Sequence, residues 1–297
     1  MRKNSYCSTV FFATTEDDCG FFDSDTWPAR NILEDHNWER SDGICEMIEV
    51  KDRVVFHLDD HLGRLMNSMK VLDLKTPIKD LKIFLKNKIS ELLRFYGCSG
   101  LSRIDIRVTG GYSDDFFRSS GFPNIFIRTA PILQKRFDKG LKLLLLDYKR
   151  DYPEAKTVNY GVAVKQLRSN PQFDSVLYVP KGVILEAATA NFFMVDKRGI
   201  IWTPRNDILK GVTRGVVINM AKKMKFEVME DLIRESDLNF VKEIFLTSTF
   251  TFVWPVTKIS AMFNDKNLEI GPVTMKLREA YLKYRREYYK ENFIGII

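Results

Sequence analysis

The chain has 297 residues, of which 45% are apolar and 29% charged, as expected for a globular protein of one large domain or two modest ones. No apolar run approaches the ~20 residues that cross a bilayer, and no leader-like apolar segment follows the N-terminus, so we predict a cytoplasmic protein without a membrane partner. The net charge of +7 is spread along the chain with acidic residues between the basic ones, and we therefore predict no nucleic-acid partner.

The N-terminal half is predicted to combine short strands with two amphipathic helices. Alternating or continuous apolar residues predict strands at residues 9–13, 44–50, 54–57, 104–108 and 124–129. Apolar residues at helical spacing predict helices at residues 58–72 and 76–97. For the second helix, we expect Thr76 as the N-cap, Pro77 as the first helical residue and Gly97 as the C-terminal stop.

The C-terminal half is richer in strands, which are predicted at residues 141–147, 175–179, 183–195, 200–203 and 243–256. Helices are predicted at residues 211–224 and from Pro272 onward. The first of them is expected to bury Val212, Val216, Met220, Ala221 and Met224. The last helix carries a basic patch with interleaved tyrosines at residues 283–290, which we interpret as a solvated face.

This order of elements predicts the α+β class. We expect a smaller N-terminal α/β domain at residues 1–122, a connection at 123–135, and a larger C-terminal domain of mixed strands with helices at 136–297. The four cysteines form no CxxC pair, and no histidine stands near them at metal-ligand spacing, so no metal site is predicted. Scattered cysteines favour a reducing compartment.

Two charged residues lie in positions that suggest chemistry. Lys156 follows an apolar strand, and a lysine whose amine is neutral can act as a nucleophile, although an isolated lysine is most often on the surface. Glu186 interrupts an apolar stretch, where a carboxylate must be either paired or exposed to water. A paired carboxylate can hold a proton on a pyridine nitrogen, whereas an exposed one has no such role.

Three further segments could hold a phosphate group. Gly211-Val212-Thr213 opens a predicted helix, where backbone N–H groups attract anions, although an ordinary turn with a capping threonine has the same pattern. Arg64 could bind a phosphate bidentately or simply lie exposed on its helix. Thr249 ends a run of hydroxyl residues that also suits an ordinary strand.

The order and spacing of these residues resemble the fold type IV (class IV) aminotransferases that use pyridoxal 5′-phosphate. That family includes branched-chain aminotransferases, D-amino acid aminotransferases and aminodeoxychorismate lyases. The similarity covers residues 42–259 and is carried by the motifs at residues 60–65, 191–193 and 208–214. It implies a two-domain fold type IV enzyme that forms a homodimer and binds small-molecule amino acid and 2-oxo acid substrates.

The resemblance also implies a role for each candidate residue. Lys156 is expected to form the Schiff base with the cofactor and to move the proton at the substrate Cα. Glu186 is expected to contact the pyridine nitrogen. The phosphate is expected to be held by Arg64, the amides of Val212 and Thr213, and Thr249. Leu209 is expected to pack on the cofactor ring, and Tyr160 to contact its phenolic oxygen.

Substrate binding is where the sequence departs from the family patterns. Residues 109–112 lack the arginine typical of D-amino acid aminotransferases and aminodeoxychorismate lyases. Cys45 replaces an aromatic residue, and Phe250-Thr251 replaces a small pair typical of branched-chain enzymes. Candidate substrate contacts are Arg103, Arg107, Tyr112 and Arg118, each of which could instead be structural.

We therefore predict an aminotransferase of branched-chain-like type, moving an amino group between an amino acid and a 2-oxo acid. One alternative is an aminodeoxychorismate-lyase-like elimination of pyruvate, which the lyase-like residues 253–256 favour and the missing arginine disfavours. The other alternative is a non-catalytic basic binding protein that retains the fold, motivated by the tyrosine- and lysine-rich C-terminus.

Overall fold

The computed structural model describes residues 9–14, 16–17, 19–23, 41–95, 100–112, 122–132, 139–260 and 265–293. Its α-helices are α1 (Leu58–Val71), α2 (Leu81–Phe95), α3 (Gly161–Ser169), α4 (Val212–Lys223) and α5 (Pro272–Glu291). Its strands are β1 (Thr9–Ala13), β2 (Cys19–Asp23), β3 (Ile44–Lys51), β4 (Val54–Val55), β5 (Leu101–Val108), β6 (Ile125–Pro131), β7 (Leu141–Leu146), β8 (Ser175–Tyr178), β9 (Val183–Ile184), β10 (Glu186–Ala187), β11 (Ala190–Asp196), β12 (Ile201–Pro204), β13 (Val228–Asp231), β14 (Ile233–Arg234), β15 (Val241–Ser248), β16 (Phe252–Ser260) and β17 (Asp265–Asn267). Within these ranges no helix is long and apolar enough to span a membrane. The mixture of helices and strands confirms the predicted α+β class.

The chain forms two compact units that alternate along the sequence. The first unit takes residues from the first 133, the short segment Ala155–Asn159 and the chain from Tyr289 onward. The second unit takes Gln134–Glu154 and Tyr160–Tyr288. The segment that carries Lys156 is therefore part of the first unit, although it follows β7 of the second.

The first unit is built on one antiparallel sheet with the strand order β2-β1-β6-β5-β3-β4. The longest pairing joins β3 to β5, from Ile44 opposite Val108 to Lys51 opposite Leu101. Because side chains alternate between the faces of a strand, the apolar positions of β3 and β5 share one face and pack with α1 and α2. This core includes Ile44, Ile48, Val50, Leu62, Leu65, Met69, Leu85, Ile89, Leu92, Ile104, Ile106 and Val108.

The second unit is built on a mixed sheet with the strand order β10-β8-β7-β16-β15-β11-β12-β13, and β17 pairs with β16. An additional pairing of β10 with β11 closes the first six of these strands into a ring. β7 runs parallel to both β8 and β16, whereas β11, β15 and β16 are antiparallel neighbours. Strands buried on both faces carry continuous apolar runs, as β11 does at residues 192–195.

Two of the predicted strand regions are each divided by a turn that was not predicted. Residues 183–195 form β9, which pairs with β14, and then the hairpin of β10 and β11, in which Ala187 stands opposite Ala190. Residues 243–256 are likewise divided by the turn at 249–251. The apolar pattern hides both turns because the strands on either side are buried. The other predicted strands and helices are present with ends shifted by a few residues.

The predicted start of the second helix is wrong. α2 begins at Leu81, and the side-chain Oδ1 of Asp80 accepts a hydrogen bond from Ile83 N–H at 3.0 Å, as an N-cap does. Thr76 Oγ1 instead accepts from Ile78 N–H at 3.3 Å within a local turn. Residue 97, the predicted stop, lies outside the described residues.

The buried face predicted for α4 is also wrong, except at Ala221, which is buried as predicted. The buried residues are Thr213, Arg214, Val217, Ile218 and Ala221, so the face is rotated by about one residue, or roughly 100°. The apolar pattern missed this rotation because two of the buried residues are polar. Met224, predicted to be buried, is 36% exposed.

Candidate active site

A buried carboxylate organises the basic residues of α1. Glu46 lies on the core face of β3, in line with Ile44 and Ile48, and is 0% exposed. The Arg64 guanidinium donates from Nε to Glu46 Oε1 and from Nη2 to Glu46 Oε2, each at 2.7 Å. His61 Nδ1 lies 2.8 Å from the same Oε2. The predicted phosphate ligand Arg64 is thus held in one orientation by a bidentate ion pair.

The electrostatics of this cluster favour an ionised carboxylate beside a neutral imidazole. Burial opposes the charge of Glu46, but Arg64 and His61 outweigh it and lower the pKa of this carboxyl to about 2. Burial lowers the pKa of His61, and the positive charges of Arg64 and Lys156 act in the same direction, although Glu46 opposes them. At pH 7 the cluster therefore contains one carboxylate–guanidinium pair and an uncharged imidazole.

Backbone hydrogen bonds fix the segment that carries Lys156. The Lys156 N–H donates to Ser68 Oγ at 3.1 Å, and that hydroxyl donates to the Arg64 carbonyl at 3.0 Å. The Lys156 carbonyl accepts from Cys45 N–H at 2.9 Å, and Thr157 forms an antiparallel bridge with Ile44. The structure thus brings the half-buried Lys156 and Arg64 into one hydrogen-bonded group of the first unit.

Three of the four candidate substrate residues lie on or next to β5 of the first unit. Arg103 and Arg107 occupy the strand face opposite the core, and Arg103 Nε lies 3.0 Å from the buried Asp105 carboxylate. Arg107 is exposed, and Tyr112 is half-buried just beyond the strand. Arg118 lies outside the described residues. The substrate role of these residues stays a prediction.

A second buried carboxylate is paired with an arginine in the second unit. Arg150 donates to Glu186 Oε1 from Nε at 2.9 Å and from Nη2 at 2.6 Å, and Nη2 also donates to the Pro153 carbonyl at 2.9 Å. Burial disfavours the charge of Arg150, but Glu186 outweighs it and raises the pKa of the guanidinium. Glu186 is 5% exposed, so the alternative of a water-facing glutamate is wrong.

The other oxygen of Glu186 joins it to the loop before α4. Glu186 Oε2 accepts from Leu209 N–H at 3.1 Å and from Asn191 Nδ2 at 3.3 Å, and Asn191 Nδ2 also donates to the Leu209 carbonyl at 2.7 Å. A Cβ at Gly211 would lie 2.1 Å from Asn191 Oδ1, so only glycine permits this close approach. The structure thereby brings the predicted residues Glu186 and Leu209 together at the start of α4.

The first turn of α4 presents backbone donors. Gly211 occupies the N-cap position, and no described side chain caps the helix, so the N–H groups of Val212 and Thr213 have no partner within the helix. Such N–H groups and the helix dipole attract an anion. The neighbouring Arg214 is only 4% exposed and donates from Nη2 to Glu230 Oε2 at 3.0 Å. Arg214 therefore anchors the helix to β13.

The remaining predicted residues also lie in the second unit. Tyr160 is half-buried at the start of α3 and close enough to Arg150 to contribute to its raised pKa. Burial raises the pKa of the nearby Tyr178 to about 12, so this phenol is neutral at pH 7. Thr249 is half-buried in the turn between β15 and β16.

Comparison with known proteins identifies a matching family. The family model described as "Amino-transferase class IV" matches residues 43–259, a range that contains both arginine–carboxylate pairs. The chain belongs to the class IV aminotransferases. The predicted resemblance and the predicted activity, the transfer of an amino group between an amino acid and a 2-oxo acid, are therefore confirmed.

Curated relatives in this family carry two kinds of name. A putative branched-chain-amino-acid aminotransferase of Methanocaldococcus jannaschii is 31% identical over 267 residues, which is 86% of this chain and 91% of that protein. A D-alanine aminotransferase of Listeria monocytogenes serotype 4b is 24% identical over 266 residues, with 84% and 89% covered.

Solved structures of class IV aminotransferases share the fold. The branched-chain aminotransferase of Thermoproteus uzoniensis with norvaline has a TM-score of 0.81 at 22% identity, covering 96% of this chain and 95% of that one. The T.th. branched-chain amino acid aminotransferase, complexed with N-(5′-phosphopyridoxyl)-L-glutamate, has a TM-score of 0.80 at 22% identity, covering 95% and 97%. These likenesses confirm the predicted fold type IV architecture.

Several residues that organise the site were not singled out from the sequence. Glu46 carried a usable signal, since a charged residue at a core position of an alternating strand requires a partner. Its partner His61 stands three residues before Arg64, one turn away on the same helix face. Asn191 belongs to the motif at residues 191–193 but was given no role, and Arg150 carried no signal, because only the fold brings them to Glu186.

Proposed function

We propose that this class IV aminotransferase uses pyridoxal 5′-phosphate and that its two arginine–carboxylate pairs orient the residues that hold the cofactor. The observation that carries the proposal is the buried Glu186 carboxylate, fixed through Oε1 by Arg150 and through Oε2 by the Leu209 amide. A fixed anionic carboxylate is the group that retains a proton on a pyridine nitrogen. The backbone donors at the start of α4, which no described side chain caps, also suit a phosphate dianion.

The proposed division of roles follows the family resemblance. Lys156 would hold the cofactor aldehyde carbon through its amine, Leu209 would pack on the ring, and Tyr160 would contact the phenolic oxygen. The phosphate would be held by Arg64, Val212, Thr213 and Thr249.

Each of these residues contributes a definite physical effect. The bound cofactor supplies an electron sink for the bond that breaks at the substrate Cα. Lys156, in its neutral form, would take the proton from the substrate Cα and return it to the cofactor C4′ carbon. Ser68 and Cys45 fix the Lys156 backbone, which limits the positions that its amine can reach. Glu46 fixes the orientation of the Arg64 guanidinium, so this side chain has little conformational entropy left to lose when it binds the phosphate.

For the substrate we propose an apolar, branched-chain-like amino acid with a 2-oxo acid as the acceptor. The most identical relative described above bears a branched-chain name, and the D-alanine relative is less identical. Residues 109–112 lack the arginine expected in D-amino acid aminotransferases and aminodeoxychorismate lyases, which supports a branched-chain-like substrate over the substrates of those two classes. Phe250 and Thr251, half-buried beside Thr249, are bulkier than the small pair expected in branched-chain enzymes and should restrict substrate size.

The cofactor proposal is tested by reduction with borohydride. The purified protein with added pyridoxal 5′-phosphate should absorb in the visible region, and reduction should attach the cofactor to the peptide that contains Lys156. Lys156→Ala should lose both properties. Lys165→Ala, at an exposed position of α3, is the matched control and should keep both. A colourless wild-type protein, or attachment at another lysine, would refute the proposal.

The substrate proposal is tested by half-reactions without an acceptor. Amino acids of both hands are added to the cofactor-loaded protein, and loss of the visible band is followed. Branched-chain L-amino acids should react at least tenfold faster than D-alanine. This ratio corresponds to a difference of about 1.4 kcal/mol in transition-state free energy. A preference for D-alanine would overturn the substrate proposal. Release of pyruvate from aminodeoxychorismate would support the lyase alternative.

The homodimer implied by the resemblance, and the cytoplasmic location, stay predictions. Sedimentation equilibrium of the purified protein should give twice the chain mass of 34.6 kDa. A single-chain mass across micromolar concentrations would contradict the expected dimer.

A further inference from the structure

The turn that carries Thr249 ends in an unusual backbone conformation. Ser248 pairs with Phe252 across the β15–β16 hairpin, which leaves residues 249–251 as a three-residue turn. Such turns close with a residue in the left-handed region, which is normally glycine. Here the left-handed residue is Phe252, the first residue of β16, with φ +60°. A bulky residue in this region is strained and persists only where its surroundings hold it.

Helix α5 provides those surroundings. The Tyr281 ring stacks on Phe252 with centroids 5.7 Å apart and an interplanar angle of 29°. The Arg285 guanidinium lies 4.8 Å from the centroid of the same Phe252 ring. Arg278 Nη1 donates to the carbonyl of Val253, the next residue, at 2.6 Å. The three α5 residues follow one another at intervals of three and four, so they share one face of the helix.

This arrangement changes the interpretation of the basic patch at residues 283–290. Lys283 pairs with Glu287 at 3.8 Å on the surface, and Arg286 is exposed. Arg285, by contrast, is half-buried against the Phe252 ring, where partial loss of water strengthens a cation–π contact. Arg285 therefore faces the hairpin and, like the buried Tyr289, is not part of a solvated face.

We propose that Arg278, Tyr281 and Arg285 are positioning residues that hold Phe252 in its left-handed conformation and so preset the turn at 249–251 for the cofactor phosphate. The hydroxyl of Thr249 lies three residues before the clamped ring, and a turn this short transmits the position of one end to the other. Ser248 Oγ and Thr251 Oγ1, 2.6 Å apart, brace the turn from within. The role toward the phosphate rests on the proposed function, whereas the clamp itself does not.

The test compares Arg285→Met with Arg286→Met, which removes the same charge from the exposed neighbouring position. The first readout is hydrogen exchange of a peptide covering residues 246–254 in the cofactor-free protein. Exchange should be about tenfold faster in Arg285→Met than in the wild type, because a clamped turn opens less often. Arg286→Met should match the wild type, and Arg285→Lys, which keeps a cation over the ring, should be intermediate.

The second readout is the dissociation constant for pyridoxal 5′-phosphate, measured by absorbance titration of the cofactor-free protein. It should rise about tenfold in Arg285→Met, while the thermal midpoint of the cofactor-free protein changes by less than about 2 °C. Unchanged exchange in Arg285→Met would overturn the clamp. Faster exchange with an unchanged dissociation constant would overturn its role toward the phosphate. A wild type that binds no cofactor would refute the proposed function, and the exchange result would still decide the clamp.

Discussion

Replacement of Glu46 by glutamine tests whether the ionised Glu46 carboxylate stabilises the folded protein as its lowered pKa implies. Glutamine keeps the shape of the side chain but removes the charge that Arg64 and His61 contact. The fall of the carboxyl pKa from its ordinary 4.5 to about 2 corresponds to roughly 3 kcal/mol of unfolding free energy at pH 7. We therefore expect the variant to be less stable than the wild type by roughly this amount.

The pH dependence gives a sharper form of this prediction. Because the pKa of Glu46 is lower in the folded state, its contribution is fully present above pH 4.5 and is lost as the pH falls toward about 2. The variant has no titrating group at this position. The difference in unfolding free energy between the two proteins should therefore shrink to roughly half its pH 7 value at pH 3.

Urea denaturation of the cofactor-free proteins, followed by far-ultraviolet circular dichroism at several pH values, measures this difference. Asp60→Asn is the matched control, since it removes a carboxylate from the exposed side of α1, where Asp60 is 63% exposed and pairs with His57. The control should lose no more than about 1 kcal/mol, as is usual for a surface pair. A difference between wild type and Glu46→Gln that stays constant from pH 7 to pH 3 would refute the reasoning.

Two further predictions concern the second unit. In Gly271→Ala, the new Cβ would lie 1.9 Å from Glu243 Cδ. The Glu243 carboxylate accepts hydrogen bonds from the N–H groups of Val273 and Thr274 in the first turn of α5, and the new Cβ would displace it. Thermal unfolding should therefore show a decrease in unfolding free energy of about 1–3 kcal/mol. Gly215→Ala, with nothing within 4 Å of its Cβ, should instead raise stability by about 0.5–1 kcal/mol, and equal effects at the two glycines would contradict this distinction. Arg150→Met should destabilise the protein by roughly 3–5 kcal/mol, because it leaves the Glu186 charge without its main partner. Urea denaturation should show that the double variant Arg150→Met/Glu186→Gln is more stable than Arg150→Met alone, and additive losses would be evidence against the pairing.

Most of the fold could be predicted where one face of an element is buried and the other is not. The alternation of β5 and the helical stripe of α1 fall in this class, and both are present. The failures have two causes. Strands buried on both sides give no sign of where they turn, as at residues 188–189 and 249–251. Polar residues that are buried through ion pairs, such as Arg214, cause the apolar pattern of a helix to predict the wrong buried face.

From the sequence, the candidate site could be predicted only as a set of residues that follow one another at characteristic spacings along the chain. The family resemblance rests on spacing, and spacing carries no information about which side chain meets which. The contact between Glu186 and Leu209 joins residues 23 positions apart through a backbone N–H, a donor that every residue except proline has. The partner Arg150 stands 36 positions before Glu186, and no local pattern relates the two residues.

The two arginine–carboxylate pairs have the same proposed role, which is to fix nearby groups before the cofactor binds. Replacing a buried ion pair by apolar residues of similar volume is often neutral or stabilising, so stability alone does not explain why the chain buries Glu46 and Glu186. Each carboxylate, however, fixes a group that the proposed cofactor requires. Glu46 fixes the Arg64 guanidinium in the first unit, and Glu186 fixes the Leu209 backbone amide in the second. Fixing these groups before binding reduces the entropy that is lost when a ligand arrives. Apolar replacement of Glu46 together with Arg64 should therefore give a protein that folds normally but binds pyridoxal 5′-phosphate weakly. A double variant that folds and still binds the cofactor as tightly as the wild type would show that the pair has no role in ligand binding.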